Sequence, residues 1–138
     1  MLLRAKEELE QMADIFKQHY SVACMDQNRL NGHKSLLIWL TGLSGSGKST
    51  IANKTLLALH LKGIHAYVLD GDNVRSGLNK DLGYSAKDRN ENMRRVAEVA
   101  KMMMDAGIVT IAAFVSPLKE NRELVKTIVG AEVFFEIY

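Results

Sequence analysis

A glycine-rich segment in the first half of the chain has the residue types that hold a polyphosphate. It follows the pattern G-x-x-x-x-G-K-[ST] and lies between a short apolar run and a helical pattern. The glycines let backbone N–H groups point inward, where they and the positive end of the next helix attract phosphate. Lys48 can then reach the β and γ phosphates, and Ser49 can offer a hydroxyl to Mg²⁺. We predict that a nucleotide and Mg²⁺ bind at the following residues: Gly42, Leu43, Ser44, Gly45, Ser46, Gly47, Lys48, Ser49 and Thr50.

Two carboxylates separated by one residue follow the second apolar run of the chain. Asp70 and Asp72 stand on either side of Gly71. If this run is a strand parallel to the one before the glycine-rich segment, both end at the same sheet edge, where ligands bind in open α/β sheets. One carboxylate can hold the water shell of a metal while the other orients an acceptor hydroxyl and takes its proton. The alternative is a solvated Asp-Gly turn.

Basic residues near the same predicted edge form a candidate anion-binding site. Arg89 and Asn92 are three residues apart at the start of a predicted helix and therefore share one face. An arginine fork matches phosphate or sulfate with two hydrogen bonds, and Arg75 can add another contact. For Arg89, Arg94 and Arg95 the alternative is a solvated helix face.

The elements that position these residues alternate between strands and helices. Apolar spacing predicts an amphipathic helix over residues 2–20, and the polar stretch with Asn31-Gly32 predicts a turn or linker over 26–34. We therefore expect an N-terminal helix and linker (1–30) and one P-loop kinase domain (31–138). Four strands are predicted in that domain, at 36–40, 64–69, 108–115 and 133–138. Three long helices are predicted as well. The first begins at Lys48, the second follows an N-cap at Ser85, and the third follows an N-cap at Ser116 with Pro117 at its first position. Such alternation predicts a three-layer α/β fold of the P-loop NTPase type, a parallel sheet with helices on both faces.

Composition limits the classes of protein that fit. The chain has 138 residues, of which 47% are apolar, which suits one domain with one core. Its 18 basic and 16 acidic residues give a net charge of +2, too small for a sequence-independent nucleic-acid binder. One cysteine cannot form an intrachain disulfide. No apolar run approaches the roughly 18 residues of a membrane span, so we expect a cytoplasmic protein without nucleic-acid or membrane partners.

Several segments between Asn31 and the end of the chain together form a family pattern. They are Asn31-Gly32-His33-Lys34, Trp39 to Thr50, Tyr67 to Arg75, Gly77-Leu78-Asn79, Asp81-Leu82-Gly83, Arg89 with Asn92, and Ala113 to Pro117. In this order and spacing, from about Asn31 to its end, the sequence resembles the adenylylsulfate (APS) kinase family. The run D-G-D-N-V-R and the later R-x-x-N are more specific to that family than the glycine-rich segment is.

The resemblance implies transfer of the γ-phosphoryl group of ATP to the ribose 3′-hydroxyl of adenylyl sulfate, giving PAPS, the activated sulfate donor of sulfate assimilation. It implies that Asp72 receives the hydroxyl proton and that Asp70 supports Mg²⁺. It further implies that Arg75, Arg89 and Asn92 bind the phosphosulfate and sugar of the substrate, and that Tyr84 stacks on its adenine.

Ser116 matches a family serine that has been proposed as a phosphoserine site, although its position at a strand end also suits a structural role as a helix cap. Ser76 stands where the family usually has histidine. The family continues into a lid, a further strand and a terminal helix, so the resemblance implies that the final strand, the lid and the C-terminal helix are missing here. Two alternatives stay open: a weakly active or inactive nucleotide-binding domain of a larger sulfate-activation assembly, and a kinase for another small acceptor. As protein partners we consider a second copy of the chain, in a homodimer, or a sulfurylase.

Overall fold

The computed structural model describes residues 2–6 and 15–138. Residues 2–6 are helical and residues 15–20 are not. The predicted helix over 2–20 is therefore wrong over its last six residues, and its stretch 7–14 lies outside the described residues. Phe16 and Tyr20 are exposed. Because a short helix gains most of its stability from packing an apolar face, no such contribution favours helix at residues 15–20.

Helix α1 (Cys24–Asn31) occupies most of the predicted linker over residues 26–34, so that prediction is wrong. The sequence suggested a linker because the segment is polar and lacks an apolar stripe. Its polar side chains instead bond to the main domain, as when Asn31 Nδ2 donates to the carbonyl of Gly107 at 3.0 Å. Gly32 then ends the helix with a left-handed φ of 72°.

The predicted α/β fold with a parallel sheet is confirmed. Four parallel strands form one sheet in the order β2-β3-β1-β4. In chain order the elements after α1 are β1 (Leu37–Thr41), α2 (Lys48–Leu61), β2 (Ala66–Asp70), α3 (Gly71–Ser76), α4 (Ala86–Asp105), β3 (Val109–Phe114), α5 (Lys119–Val129), a 3₁₀ turn (Ala131–Val133) and β4 (Phe134–Ile137).

Helices cover both faces of the sheet. On one face, α4 and α5 pack against Trp39 and Phe114 to form the larger buried cluster. On the other face, α2 packs against Leu40 and Ile111. Strand β3 is buried along its whole length because it lies between two strands and two helical layers. This arrangement brings the ends of β1, β2 and β3 to one edge of the sheet.

At that edge the alternative interpretation of Asp70-Gly71-Asp72 as a solvated turn does not hold. The segment after Asp70 forms helix α3, and Asp70 caps it by accepting the backbone N–H of Asp72 at 3.0 Å. The predicted N-cap at Ser116 is wrong. Helix α5 begins at Lys119 after Leu118, since the Ser116 side chain turns inward and bonds within the core instead.

Candidate active site

The glycine-rich segment forms a tight loop between β1 and α2. Gly47 immediately precedes α2 with a φ of 94°, a left-handed conformation that favours glycine. A Cβ atom on Gly42 would lie 2.9 Å from Ser46 Oγ, so a side chain there would require the Ser46 hydroxyl to move. The structure therefore contains the predicted strand, loop and helix N-terminus in that order.

Lys48 lies along this loop. Its Nζ donates to the carbonyl oxygens of Gly42 and Leu43, both at 2.8 Å. These two bonds hold the ammonium group over the loop, where incoming phosphate oxygens would compete with the two carbonyls for it.

The loop and the paired aspartates line one cavity of about 330 Å³, which we call the phosphate cavity. It lies at the carboxyl edge of the sheet, where ligands bind in this class of fold. Lys48 and Asp72 are both in its wall. Its lining residues are Ser44, Gly45, Gly47, Lys48, Ser49, Thr50, Asp70, Gly71, Asp72, Ala113, Phe114 and Val115.

The donor set in the phosphate cavity fits Mg²⁺. Ser49 Oγ donates to Asp70 Oδ2 at 2.9 Å, so a hydroxyl and a carboxylate lie together. Mg²⁺ is commonly held by one or two carboxylates together with substrate phosphates and water, rather than by an all-protein cage. Residues 2–6 and 15–138 contain no group of three or more His, Cys, Asp or Glu side chains that could hold a metal ion.

A second cavity of about 250 Å³, which we call the arginine cavity, adjoins the phosphate cavity. The two share Gly71, Asp72, Phe114 and Val115 in their walls. Asp72 is the carboxylate common to both, and its oxygens form no hydrogen bond with any residue that the structure describes. The lining of the arginine cavity is Gly71, Asp72, Arg75, Tyr84, Arg89, Asn92, Met93, Phe114, Val115, Pro117, Leu118 and Asn121.

The loop before α4 orients the two arginines of this cavity. Arg75 Nη1 donates to the carbonyl of Gly83 and Arg89 Nε to that of Tyr84, both at 3.0 Å. The Arg75 guanidinium also lies 4.5 Å from the centroid of the Tyr84 ring. A guanidinium has five N–H donors, so each arginine keeps several for an anion. Tyr84 is 71% exposed and contacts Arg75 with its ring, so stacking on a base would use its other face.

Asn79 is a component of the site that the sequence analysis did not single out. It is fully buried, and its Nδ2 donates to Asn92 Oδ1 at 2.8 Å. Asn92 is 3% exposed and lines the arginine cavity. The bond occupies the Asn92 oxygen and leaves its amino group as the donor for a ligand. Only the position of Asn79 in the Gly77-Leu78-Asn79 segment could have indicated this role.

Arg94 and Arg95 do not line either cavity. Arg94 forms two bonds with Glu91, and Arg95 pairs with Glu91 at 2.9 Å and with Asp81 at 2.8 Å. The structure therefore brings only Arg89 of this cluster to the cavity. The hydrogen bonds from Arg94 and Arg95 lower the pKa of Glu91 from 4.5 to about 2.

Replacing Glu91 with glutamine is expected to cost about 1 kcal/mol of unfolding free energy at pH 7, a value discounted for solvent screening. Because the pKa of Glu91 is lowered in the folded state, its stabilisation is full above pH 4.5 and is lost as pH falls towards about 2. Denaturant unfolding of wild type and variant at pH 7 and at a pH near the lowered pKa of about 2 checks this. Glu98→Gln, on the same helix, is the control. An equal loss of unfolding free energy in Glu91→Gln at the two pH values would contradict the expectation.

Ser116 lies in the core rather than in a cavity. It is 2% exposed; its Oγ accepts from Trp39 Nε1 at 2.9 Å and donates to Thr41 Oγ1 at 2.8 Å. The geometry thus gives this residue a structural role between β1 and β3. A phosphoryl donor would reach the hydroxyl only after this network opened.

Arg122, which the sequence analysis did not single out, holds the loop after β3. It donates to the carbonyls of Ser116 and Pro117 at 2.7 and 3.1 Å. On its other side it pairs with Glu136 and donates to the Tyr138 hydroxyl at 3.0 Å. We call these contacts the Arg122 clamp. They tie strand β4 to a wall of the arginine cavity.

None of the helices in residues 2–6 and 15–138 combines the length and apolarity that crossing a bilayer requires.

A phosphate loop at a helix N-terminus, beside carboxylates at the carboxyl edge of a parallel sheet, defines a P-loop nucleotide-binding protein. The family model described as adenylylsulphate kinase matches residues 34–138. The chain therefore belongs to the adenylylsulphate kinase family.

Individual relatives agree with this assignment. An adenylyl-sulfate kinase of Bacillus licheniformis is 53% identical over 125 residues, which cover 91% of this chain and 64% of that protein. A probable adenylyl-sulfate kinase of Bacillus subtilis is 52% identical over 118 residues, 86% of this chain and 59% of the relative. The solved APS kinase CysC of Mycobacterium tuberculosis in complex with AMPPNP and APS is 48% identical, with a TM-score of 0.71 over 75% of this chain and 61% of that one. The chain thus spans about three fifths of the relatives it matches.

Proposed function

We propose that this chain transfers the γ-phosphoryl group of ATP to the 3′-hydroxyl of adenylyl sulfate, giving PAPS and ADP. The observation that carries the proposal is the shared wall: Asp72 lines both the cavity of the phosphate loop and the cavity of the two arginines. A phosphoryl donor in one cavity and an acceptor alcohol in the other would meet at this carboxylate. The similar Mycobacterium tuberculosis kinase, solved in complex with AMPPNP and APS, supports the pairing of these two ligands.

The phosphate loop holds the triphosphate in this proposal. Its backbone N–H groups and the N-terminus of α2 bind the phosphate oxygens, and the Lys48 ammonium contacts the β and γ phosphates. Ser49 and Asp70 would hold Mg²⁺, which would supply charge neutralisation for the transferring group. The hydrogen bond between these two side chains supports their acting on one ion.

Asp72 receives the proton of the acceptor. As the bond from O3′ to the γ phosphorus forms, the bond from that phosphorus to the β–γ bridging oxygen breaks and ADP leaves. The 3′-hydroxyl proton passes to the Asp72 carboxylate, whose oxygens have no other partner among the described residues. A general base must lie within hydrogen-bond reach of the proton that it takes, which a residue in the wall common to both cavities satisfies.

Arg75, Arg89 and Asn92 hold the acceptor, and Tyr84 contributes an aromatic face for its adenine. Two guanidinium groups at one cavity suit an acceptor that carries a phosphosulfate. We place the reaction in cytoplasmic sulfate assimilation.

A second candidate is a weakly active or inactive nucleotide-binding domain that belongs to a larger protein or assembly. The chain spans 59% and 64% of the lengths of the two curated relatives named above. The phosphate loop would then bind ATP while the acceptor site is completed elsewhere.

A coupled assay that measures ADP formation separates the two candidates. With Mg²⁺ and ATP present, we expect ADP to form only when adenylyl sulfate is added. ATP binding without adenylyl-sulfate-dependent turnover would favour the second candidate, and turnover with shikimate, gluconate or a nucleoside monophosphate instead would show a kinase for another acceptor.

Replacing Arg89 with alanine is expected to raise the KM for adenylyl sulfate about tenfold to a hundredfold, because a hydrogen bond to an anion is lost. The KM for ATP should change much less. Steady-state kinetics with each substrate varied in turn checks this, and Arg94→Ala is the matched control because Arg94 pairs with Glu91 outside both cavities. An equal loss for both substrates would contradict the division into two sites.

A further inference from the structure

Asn121 is a buried polar residue in the wall of the arginine cavity. It lies in the first turn of α5, an element to which the sequence analysis and the family resemblance assigned no substrate contact. Its relative exposure is 9%, and it lines the cavity together with Asn92, Met93 and Leu118. Its backbone N–H donates to the carbonyl of Leu118, so the main chain of this residue is satisfied locally.

The Asn121 carboxamide forms no side-chain hydrogen bond with residues 2–6 or 15–138. Among these residues the only fully enclosed side-chain polar atom without a partner is Thr110 Oγ1. The Asn121 oxygen and nitrogen are therefore not sealed in the core, and the residue lines the cavity. Because most buried polar side chains in native proteins are hydrogen-bonded, a mostly buried carboxamide without a protein partner is suited to bond with solvent or a ligand.

We propose that Asn121 is a substrate-binding residue that hydrogen-bonds an uncharged polar group of the acceptor nucleoside. This inference rests on the proposed function. A carboxamide offers donors and acceptors but no charge, which matches a ribose hydroxyl or a purine edge. The phosphosulfate has a better partner in the guanidinium groups of Arg75 and Arg89, which belong to other elements of the wall.

This role predicts opposite effects on stability and on binding. A leucine at position 121 has a similar size and removes an unsatisfied amide from a mostly buried position, so it should not lower the melting temperature. The same change leaves a polar group of the bound nucleoside without its partner. A residue that served only for packing would not combine an unchanged melting temperature with weaker binding of the nucleoside.

The experiment compares wild type, Asn121→Leu and Asn121→Ser by calorimetric titration with three ligands: adenylyl sulfate, AMP and AMPPNP. AMP contains the nucleoside without the sulfate. We expect both variants to bind adenylyl sulfate and AMP about tenfold more weakly, with AMPPNP affinity within about twofold of wild type. Asn53→Leu makes the same change at an exposed position of α2 outside both cavities and should leave all three affinities unchanged.

Acceptor affinities equal to wild type in both folded variants would overturn this assignment and leave the proposed function standing. Loss of AMPPNP binding in parallel would overturn it as well, since that would indicate a structural role. Wild-type protein that binds AMPPNP but neither adenylyl sulfate nor AMP would overturn the proposed function together with this inference.

Discussion

Replacing Lys48 with alanine is expected to lower kcat for ATP-dependent phosphorylation by about a hundredfold to a thousandfold, the usual cost of removing one preorganised group that stabilises charge in a transition state. Among the residues that the structure describes, Lys48 is the only lysine or arginine in the wall of the phosphate cavity. Without its ammonium group, charge that develops between the β and γ phosphates loses its nearest protein cation. Measuring kcat with saturating ATP and adenylyl sulfate checks this.

Lys54→Ala is the control for that experiment, because Lys54 is an exposed lysine on the same helix, α2, outside both cavities. Its kinetics should match wild type. If Lys48→Ala kept more than about a third of the wild-type kcat, the ammonium would not act on the transferring group as proposed.

Replacing Asp72 with asparagine is expected to lower kcat by about a hundredfold to ten-thousandfold, since an amide cannot accept the acceptor proton. The change is nearly isosteric, and the carboxylate oxygens have no partner among the described residues whose loss would disturb the fold. Binding of AMPPNP and adenylyl sulfate should stay close to wild type. Single-turnover kinetics alongside equilibrium titration separates these two quantities.

Asp105→Asn provides the control at the far end of α4, where the carboxylate is exposed and remote from both cavities. A fall in substrate affinity that accounted for the whole loss of activity in Asp72→Asn would contradict a role in proton transfer. It would instead make Asp72 a binding residue.

The residues of the phosphate cavity are predictable because their positions depend on local pattern and on one rule of topology. An apolar run, glycines and a helical pattern in succession predict the loop around Lys48. Parallel strands then bring the end of β2, with Asp70 and Asp72, to the same edge. Nothing beyond the order of the elements was needed for this part of the site.

The remaining components depend on contacts between distant residues, which no local pattern indicates. Asn79 acts through Asn92, thirteen residues away along the chain. Asn121 lines the cavity only because α5 packs beside α4. Helix α1 was missed because polar side chains, rather than an apolar stripe, fasten it to the domain. Ser116 stands before Pro117 as a helix cap would, yet its side chain accepts a hydrogen bond from Trp39 within the core instead of capping the helix.

The Arg122 clamp connects the wall of the arginine cavity to the outermost strand of the sheet. Within residues 2–6 and 15–138, β4 ends the strand order and pairs with β1 on one side alone, which leaves an unpaired edge there. Glu136 and Tyr138 pass any restraint on that edge through one guanidinium to the carbonyls of Ser116 and Pro117. A backbone segment that paired with β4 would thereby be linked, through Arg122, to the loop that carries Pro117 in the wall of the arginine cavity.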